Sequence, residues 1–357
     1  MSLKTCIIGT GQIAEAHIEE IQKIKGSKVV ALCDLRKTPT QALADKYNIN
    51  ETYISIDEML EVERPDVVHI TTPAGSHFSL AEKVLKANCH VYIEKPLTLT
   101  ANETSILIKL AEKRNLIICP GTQKLYSRES IEVFKELKDK QKFGEMIHMD
   151  AVFGYNLQGI FGKLVISNPE HWIAKLPGQL FQNNISHPIA MLVPFLSDDL
   201  EITAYAYDLS QNGVINDELR VHIFDRKNKI SCAVMFISNA RPVQFRVRYF
   251  GEHSTIDLNL TEHYWQRDMS PILPGGLGLS LNIRSRARQM KHQFWTNFKA
   301  FWLGKETFFS DMGRLFEDFY DRISKKLPEP VCYDDLQRTS NIIDEICKQI
   351  SSKGDKL

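Results

Sequence analysis

No run of about 18 apolar residues, the length a membrane-crossing helix needs, occurs in the 357-residue chain. The first five residues lack the charged and apolar regions of a signal peptide, so a cytoplasmic location is expected. Cysteine is sparse and unpatterned. Cys6, Cys33, Cys89, Cys119, Cys232, Cys332 and Cys347 form no C-x-x-C pair, and their number is odd. A disulfide framework or a zinc site is therefore not expected, and no metal is assigned. Net charge is absent: 44 basic residues balance 44 acidic ones. Nucleic-acid binding driven by the field of the whole molecule is excluded on that ground, and no nucleic-acid partner is expected. There is no internal repeat and no low-complexity tract. What remains is an ordinary globular composition, 43% hydrophobic and 25% charged, in a chain long enough for two domains.

The first third alternates short apolar strands with helical stretches, which argues a parallel, doubly wound α/β sheet. Thr5 to Ile8 is the first strand. Gly9-Thr10-Gly11-Gln12-Ile13-Ala14 follows and opens a helix. Gly9 permits a tight turn, and Gly11 lets the backbone approach a pyrophosphate. The N-terminus of the helix, at Gln12 and Ile13, attracts its charge. The second strand, Val29 to Cys33, ends at Asp34. An acid there accepts hydrogen bonds from ribose hydroxyls and repels a 2′-phosphate, so NAD is favoured. Arg36, two residues on, stacks on adenine or tolerates a phosphate, which leaves NADP open. The strand Val67 to Thr71 ends in Thr72-Pro73-Ala74-Gly75-Ser76-His77, a second turn at the same edge. Thr72, Pro73 and His77 are assigned to the cofactor side on this basis. Thr100 and Glu103 have the spacing of a capping box for a helix reaching about Arg114.

The stretch with most chemistry is Tyr92-Ile93-Glu94-Lys95-Pro96. A short apolar run stops abruptly in an acid, a base and a proline, as a buried parallel strand does where its carboxyl end opens into a site. A residue before proline is biased away from αR, so the chain turns at Lys95. A lysine so placed can hydrogen-bond a reacting oxygen; a surface lysine beside a turn proline is the other reading.

Gly9-Thr10-Gly11, Asp34, Thr72-Pro73 with His77, and Glu94-Lys95-Pro96 stand in the order and spacing of the glucose-fructose oxidoreductase / inositol dehydrogenase / MocA family, which the N-terminal third resembles. The resemblance implies a Rossmann domain followed by an α+β domain with an open, mostly antiparallel sheet. It implies hydride transfer between a nicotinamide cofactor and a sugar-like carbon. It also implies that Lys95 is catalytic and lies near the nicotinamide and the substrate hydroxyl, that Pro96 shapes its turn through a cis bond, and that Glu94 and Gln123 serve the cofactor.

The domain boundary is expected near Pro120-Gly121, giving a cofactor domain over 1–121 and a substrate and oligomerisation domain over 122–357. Beyond the helical run Arg128 to Lys138, alternation takes over. Ile147, Met149, Ala151, Phe153 and Tyr155 would share one strand face. Strands are expected at Glu201–Tyr207, Glu218–Phe224, Ile230–Ile237, Gln244–Gly251 and Thr255–Leu260, an antiparallel series. Between the strand at 147–155 and the one at Glu201–Tyr207 lies a segment where the resembled family has a glycine-rich turn and then an acid four residues before a histidine. His187 is present here, Asn183 takes the acid's place, and the glycine run is reduced to Gly178. Four residues is about one helical turn, so Asn183 and His187 share a face. His187 is the candidate base, Lys95 the group that holds the substrate oxygen, and Asn183 an orienting amide, since it has no titratable proton. Trp172 is a candidate platform for a sugar face; an apolar anchor under a loop is the alternative.

The segment 269–305 contains no Asp or Glu. It carries Arg284, Arg286, Arg288, Lys291, Lys299 and Lys305, with aromatics at helical spacing. Three roles compete: contact with a membrane surface or lipid-linked substrate through 281–305, pairing with a sugar-nucleotide pyrophosphate, or packing on the protein or a second subunit. The resemblance implies that a final helix from Tyr333 packs back on the cofactor domain, and residues 351–357 are expected to fray. The sequence thus reads as an NAD(P)-dependent dehydrogenase acting on a secondary hydroxyl of a sugar, cyclitol or sugar nucleotide, and as a homo-oligomer, dimer or tetramer, through the C-terminal sheet. A non-catalytic dinucleotide sensor or assembly subunit of the same fold is the alternative.

Overall fold

The computed structural model describes residues 2–269, 275–304, 307 and 309–353. Lys305 and residues 354–357, which the sequence reading invoked, lie outside them. The chain divides into two compact units, residues 1–123 with 311–341 and residues 124–310 with 342–357. The sequence reading assigned all of 122–357 to the second domain. Residues 311–341 instead make their contacts within the first unit.

The first unit runs β1 (Leu3–Ile8), α1 (Gln12–Lys23), β2 (Ser27–Cys33), α2 (Lys37–Tyr47), β3 (Glu51–Tyr53), α3 (Ile56–Glu63), β4 (Val67–Ile70), α4 (His77–Lys86), β5 (His90–Ile93), α5 (Ala101–Arg114) and β6 (Ile118–Pro120). The six strands are parallel in the order β3-β2-β1-β4-β5-β6. That order reverses direction between β1 and β4, which puts a ligand crevice at their carboxyl ends. Strands β4 and β5 are short and almost wholly buried because helices cover both faces of a parallel sheet. Helix α5 begins with the expected capping box: Thr100 accepts from the Glu103 N–H, and the Glu103 side chain accepts from Thr100.

The second unit holds α6 (Arg128–Leu137), α7 (Lys140–Phe143), β7 (Met146–Gly154), α8 (Ile160–Ile166), α9 (Gln179–Asn184) and α10 (Ser186–Leu192). The strands β8 (Leu200–Tyr207), β9 (Glu218–Asp225), β10 (Ile230–Ile237), β11 (Phe245–Gly251), β12 (Ser254–Asn259) and β13 (Tyr264–Met269) follow, then α11 (Gly275–Trp302). The seven strands lie in the order β13-β12-β11-β7-β10-β9-β8. Only β7 and β10 pair parallel, so the sheet is mostly antiparallel. Met149, Ala151 and Phe153 of β7 face the core as the alternation predicted, but Ile147, at the start of the strand, is half exposed. Strand β13 has no apolar alternation and escaped the sequence reading.

Helix α12 (Ser310–Lys325) lays Leu315, Phe316, Phe319 and Tyr320 into the interior. Helix α13 (Tyr333–Lys353) gives Tyr333 and Leu336 to the core of the first unit and Ile342, Ile346 and Cys347 to that of the second.

Candidate active site

The glycine turn is held by the ends of β1, β2 and β4. Gly9 donates its N–H to Cys33 O at 2.8 Å. Its φ of +96° is one that an L side chain rarely adopts, and a Cβ would come within 2.8 Å of the Thr72 methyl. Thr71 fastens the neighbouring strand, donating its hydroxyl to Gly9 O at 2.7 Å. A Cβ on Gly11, by contrast, would meet nothing within 4 Å, and no side chain caps α1 there. The N-terminus of α1, at Gln12 and Ile13, thus stands beside open space at Gly11, an arrangement that fits a pyrophosphate.

Asp34 sits just past β2. Its Oδ2 accepts from the Thr10 N–H at 2.8 Å and the Thr10 hydroxyl at 3.1 Å. Arg36 wraps back on it, its main-chain N–H reaching Oδ1 at 2.9 Å and its Nη2 reaching Oδ2 at 3.1 Å. Burial opposes ionisation of Asp34, but the bonds from Arg36 and Thr10 outweigh it and hold the carboxyl well below the usual range. The anion expected to meet the ribose is thus permanently charged, with the exposed Arg36 guanidinium as the partner a hydroxyl would displace.

At the end of β5, Glu94 is buried and fully engaged. Its Oε1 accepts from the Tyr92 hydroxyl at 3.0 Å and lies 3.2 Å from His17 Nε2. Its Oε2 accepts the Lys95 main-chain N–H at 3.1 Å. The chain of bonds continues inward: His17 Nδ1 to His69 Nδ1 at 3.0 Å, His69 Nε2 to the Tyr320 hydroxyl at 3.1 Å, and Tyr320 to the Thr5 hydroxyl at 2.8 Å. Burial raises the pKa of Glu94, yet His17 and Lys95 more than offset that and bring it down to about 2. Burial drives His69 the other way, well below its ordinary value, and His17 adds to the shift, so this ring is neutral. The sequence reading missed the ladder. Its signals were His69 inside an otherwise apolar buried strand and His17 on the inner face of α1.

Lys95 and Pro96 are joined by a cis bond, as the resemblance implied. Lys95 is half-buried, and burial lowers the pKa of its ammonium while the Glu94 charge opposes the shift. Among the described residues no carboxylate forms an ion pair with it. Gly121, at the end of β6, backs this turn: a Cβ there would lie 2.9 Å from Lys95 N. His77 ties two turns together, with Nδ1 2.8 Å from Pro96 O and Nε2 2.8 Å from Thr72 O. Burial lowers its pKa against the pull of the two carbonyls and Glu94, so at neutral pH the tautomer selects which carbonyl receives the proton. Beyond β6, Thr122 Oγ1 and Gln123 Oε1 are buried and have no hydrogen-bond partner among the described residues. Orphaned polar atoms at a ligand edge are what an amide- or hydroxyl-bearing cofactor satisfies.

Gly9, Gly11, Gln12, Ile13, Asp34, Arg36, Thr72, Pro73, His77, Glu94, Lys95 and Gln123 thus all belong to the carboxyl edge of one sheet. Two clefts elsewhere in this unit, of 480 Å³ beside Asp66, Asn88 and His90 and of 920 Å³ beside Asn115, Arg322 and Tyr333, open at the amino ends of the strands. They hold none of these groups.

In the second unit, Asn183 is buried on α9 and His187 on α10. The two helices meet at Ile185, which keeps αR angles, so the one-turn spacing survives the junction. The His187 ring stacks on Phe153 of β7 at 5.8 Å between centroids. Gly178 precedes α9, where a Cβ would collide with Cys347 Sγ. Trp172 is half-buried against the core and stacks on His171 at 5.9 Å, which makes it an anchor whatever else it contacts. Among the described residues no cluster of His, Cys, Asp and Glu could hold a metal, and no helix is long and apolar enough to cross a membrane.

Residues 3–122 match the model of an oxidoreductase family with an NAD-binding Rossmann fold, known as GFO_IDH_MocA. Over these residues the chain carries the NAD-binding domain of that family. It is 23% identical to an inositol 2-dehydrogenase of Salmonella typhimurium over 334 residues, which cover 92% of this chain and 88% of that one. A D-glucoside 3-dehydrogenase of Escherichia coli is 32% identical over 117 residues, 32% of this chain and 33% of the relative. Among solved structures, the WlbA dehydrogenase of Bordetella pertussis, in complex with NADH and UDP-GlcNAcA, shares the fold of this chain. Its TM-score is 0.76 at 16% identity, over 99% of this chain and 96% of that one.

Proposed function

We propose that the protein is an NAD-dependent dehydrogenase or reductase acting on a secondary hydroxyl or keto carbon of a sugar, a cyclitol or a sugar nucleotide. The observation that carries this reading is the Lys95 turn, clamped by Glu94, His77 and Gly121 on the same sheet edge as the glycine turn. When bound, the nicotinamide supplies the hydride acceptor or donor. Gly9, Gly11 and the start of α1 hold the pyrophosphate, and Asp34 holds the adenosine ribose. Lys95 donates a hydrogen bond to the substrate oxygen and stabilises its alkoxide character. His187 takes the hydroxyl proton, Asn183 orients its neighbour, and Trp172 offers a face to the sugar ring. The substrates of the inositol and glucoside dehydrogenases, and the sugar nucleotide bound by WlbA, support the substrate class.

The test is NADH formation with a panel of polyols, glycosides and UDP-sugars. Turnover of at least one is expected. Tight NAD binding with no turnover of any would favour a dinucleotide sensor, the reading that Asn183 in an acid's place suggests. Asp34→Ser should move cofactor preference toward NADP, and an unchanged NAD to NADP ratio of kcat/KM would remove Asp34 from the ribose. We also read the open sheet as the surface of a homodimer or tetramer, supported by exposed Tyr205, Tyr207 and Phe224; sedimentation equilibrium tests it, and a monomer at micromolar concentration would refute it.

A further inference from the structure

Helix α11 is amphipathic in the reverse of the usual sense. Its 28 residues extend about 42 Å at about 1.5 Å per residue. The stripe turned toward the protein is made of amides, and it closes the free edge of β13. Asn282 donates to Met269 O at 2.9 Å, and Gln289 accepts from the Arg267 N–H at 3.3 Å. Gln293 accepts from the Trp265 N–H at 2.8 Å and donates to Trp265 O, and Asn297 donates to His263 O at 2.6 Å. Edge strands invite pairing with another chain, and these side chains satisfy the backbone groups that would do so. At about 100° per residue, residues 282, 289 and 293 fall on one line. Phe298 lies nearly opposite.

The opposite face is exposed and apolar. Phe294, Trp295, Phe298, Phe301 and Trp302 are between 46% and 77% accessible, far above what large aromatics tolerate without a partner. The rings touch one another along the helix, Phe294 on Phe298 at 6.1 Å and Phe298 on Trp302 at 6.3 Å. Arg284, Arg288, Lys291 and Lys299 are exposed on this face or along its flank. Arg286 turns inward and pairs with Asp268.

We propose that this face of α11 docks on an anionic membrane surface, the helix lying in the interface with its aromatics among the acyl chains and its cations on the headgroups. Charge decides between this occupant and a second copy. With no acidic residue from 269 to 305, two such helices laid together would oppose cation to cation with nothing to pair them. A negatively charged lipid surface meets both halves of the pattern, because each Lys or Arg near it contributes about 1 kcal/mol and Trp rings favour the headgroup level.

The full-length protein should co-sediment with phosphatidylcholine vesicles containing about 30% phosphatidylglycerol, and far less with pure phosphatidylcholine. Binding should fall at least about tenfold in about 0.5 M salt, where the Debye length is only a few ångströms. It should fall as far in a Trp295→Ser/Phe298→Ser/Trp302→Ser variant, whose exposed changes leave the fold and turnover in solution intact. An Arg284→Glu/Arg288→Glu/Lys299→Glu variant should lose the preference for anionic vesicles. Equal pelleting with both vesicle types, or of wild type and aromatic variant, would overturn the proposal. So would wild-type protein that ignores vesicles but falls from dimer to monomer on the aromatic substitutions, which would give the face to a second copy.

Discussion

The supports of the two residues proposed for catalysis, Lys95 and His187, are built in two different ways. In the first unit Glu94 is gripped by Tyr92, His17 and the Lys95 N–H, and the ladder behind it reaches Thr5 through His69 and Tyr320. In the second unit His187 lies flat on Phe153, on a helix wedged into an apolar core. A satisfied buried network is intolerant, because any change leaves a donor or acceptor stranded. Aromatic packing fixes a ring's position without specifying its neighbours' chemistry. The contrast bears on position 183, where the resemblance implies an acid and this chain carries Asn183.

The sharpest break of this comparison is Lys95→Ala. The ladder ends on the backbone of Lys95, so the turn should survive loss of the side chain. NAD affinity should stay within about twofold while hydride transfer falls by about 100-fold or more, the range for losing a group that stabilises developing charge. Stopped-flow measurement of NADH formation, beside calorimetric NAD titration, separates the two. Normal turnover in this variant would end the catalytic assignment of Lys95.

Glu94→Gln tests the intolerance itself. An amide must point its NH₂ at one of the three donors around the carboxylate, so a bond is lost together with the charge facing His17. The folded pKa of about 2 lies below the ordinary glutamate value of 4.5, so the ionised form stabilises the native state. That stabilisation is complete above about pH 4.5 and is lost as pH falls toward about 2. It amounts to at most about 3 kcal/mol by linkage. Urea unfolding of wild type and variant should differ by that order at pH 7 and converge in acid. A gap that does not narrow with falling pH would show that the charge plays no part.

These two residues also mark what was legible in the sequence. Glycines, a strand-end acid and the Glu94-Lys95-Pro96 turn are local, and local patterns survive in the order of residues. The ladder is not local: Tyr320 lies 251 residues from His69, on a helix whose return to the first unit no periodicity announces. Strand β13 was hidden for a related reason. Tyr264-Trp265-Gln266-Arg267-Asp268 has no alternation, and it is a strand because β12 pairs with one edge and the amides of α11 close the other. The basic aromatic stretch was legible as a helix, but its orientation rests on those amide bonds.

Gly121→Ala presses on the Lys95 turn from behind. The added methyl meets Lys95 N at 2.9 Å and the Tyr92 hydroxyl at 3.1 Å, backbone on one side and a bonded hydroxyl on the other. Neither can retreat without disturbing Glu94. Overpacking of this kind costs about 1–3 kcal/mol. A lower thermal midpoint should come with reduced kcat. Unchanged kcat in a destabilised variant would mean that Gly121 serves packing alone.

The smallest effect is expected from Asn183→Asp, and it probes the tolerant side. The side chains are nearly isosteric, one helical turn from His187, so the fold should be retained. A carboxylate at that position favours the charged imidazole and raises the His187 pKa. A base must be neutral to accept the hydroxyl proton. The acid limb of the kcat/KM profile should therefore move to higher pH, while the plateau changes by less than about tenfold. Movement to lower pH would contradict the proposed role, because an added negative charge cannot ease deprotonation of an imidazolium beside it. An unmoved limb would place the titrating base elsewhere, and the polar ladder, not the aromatic seat, would then be the part of the molecule on which proton chemistry depends.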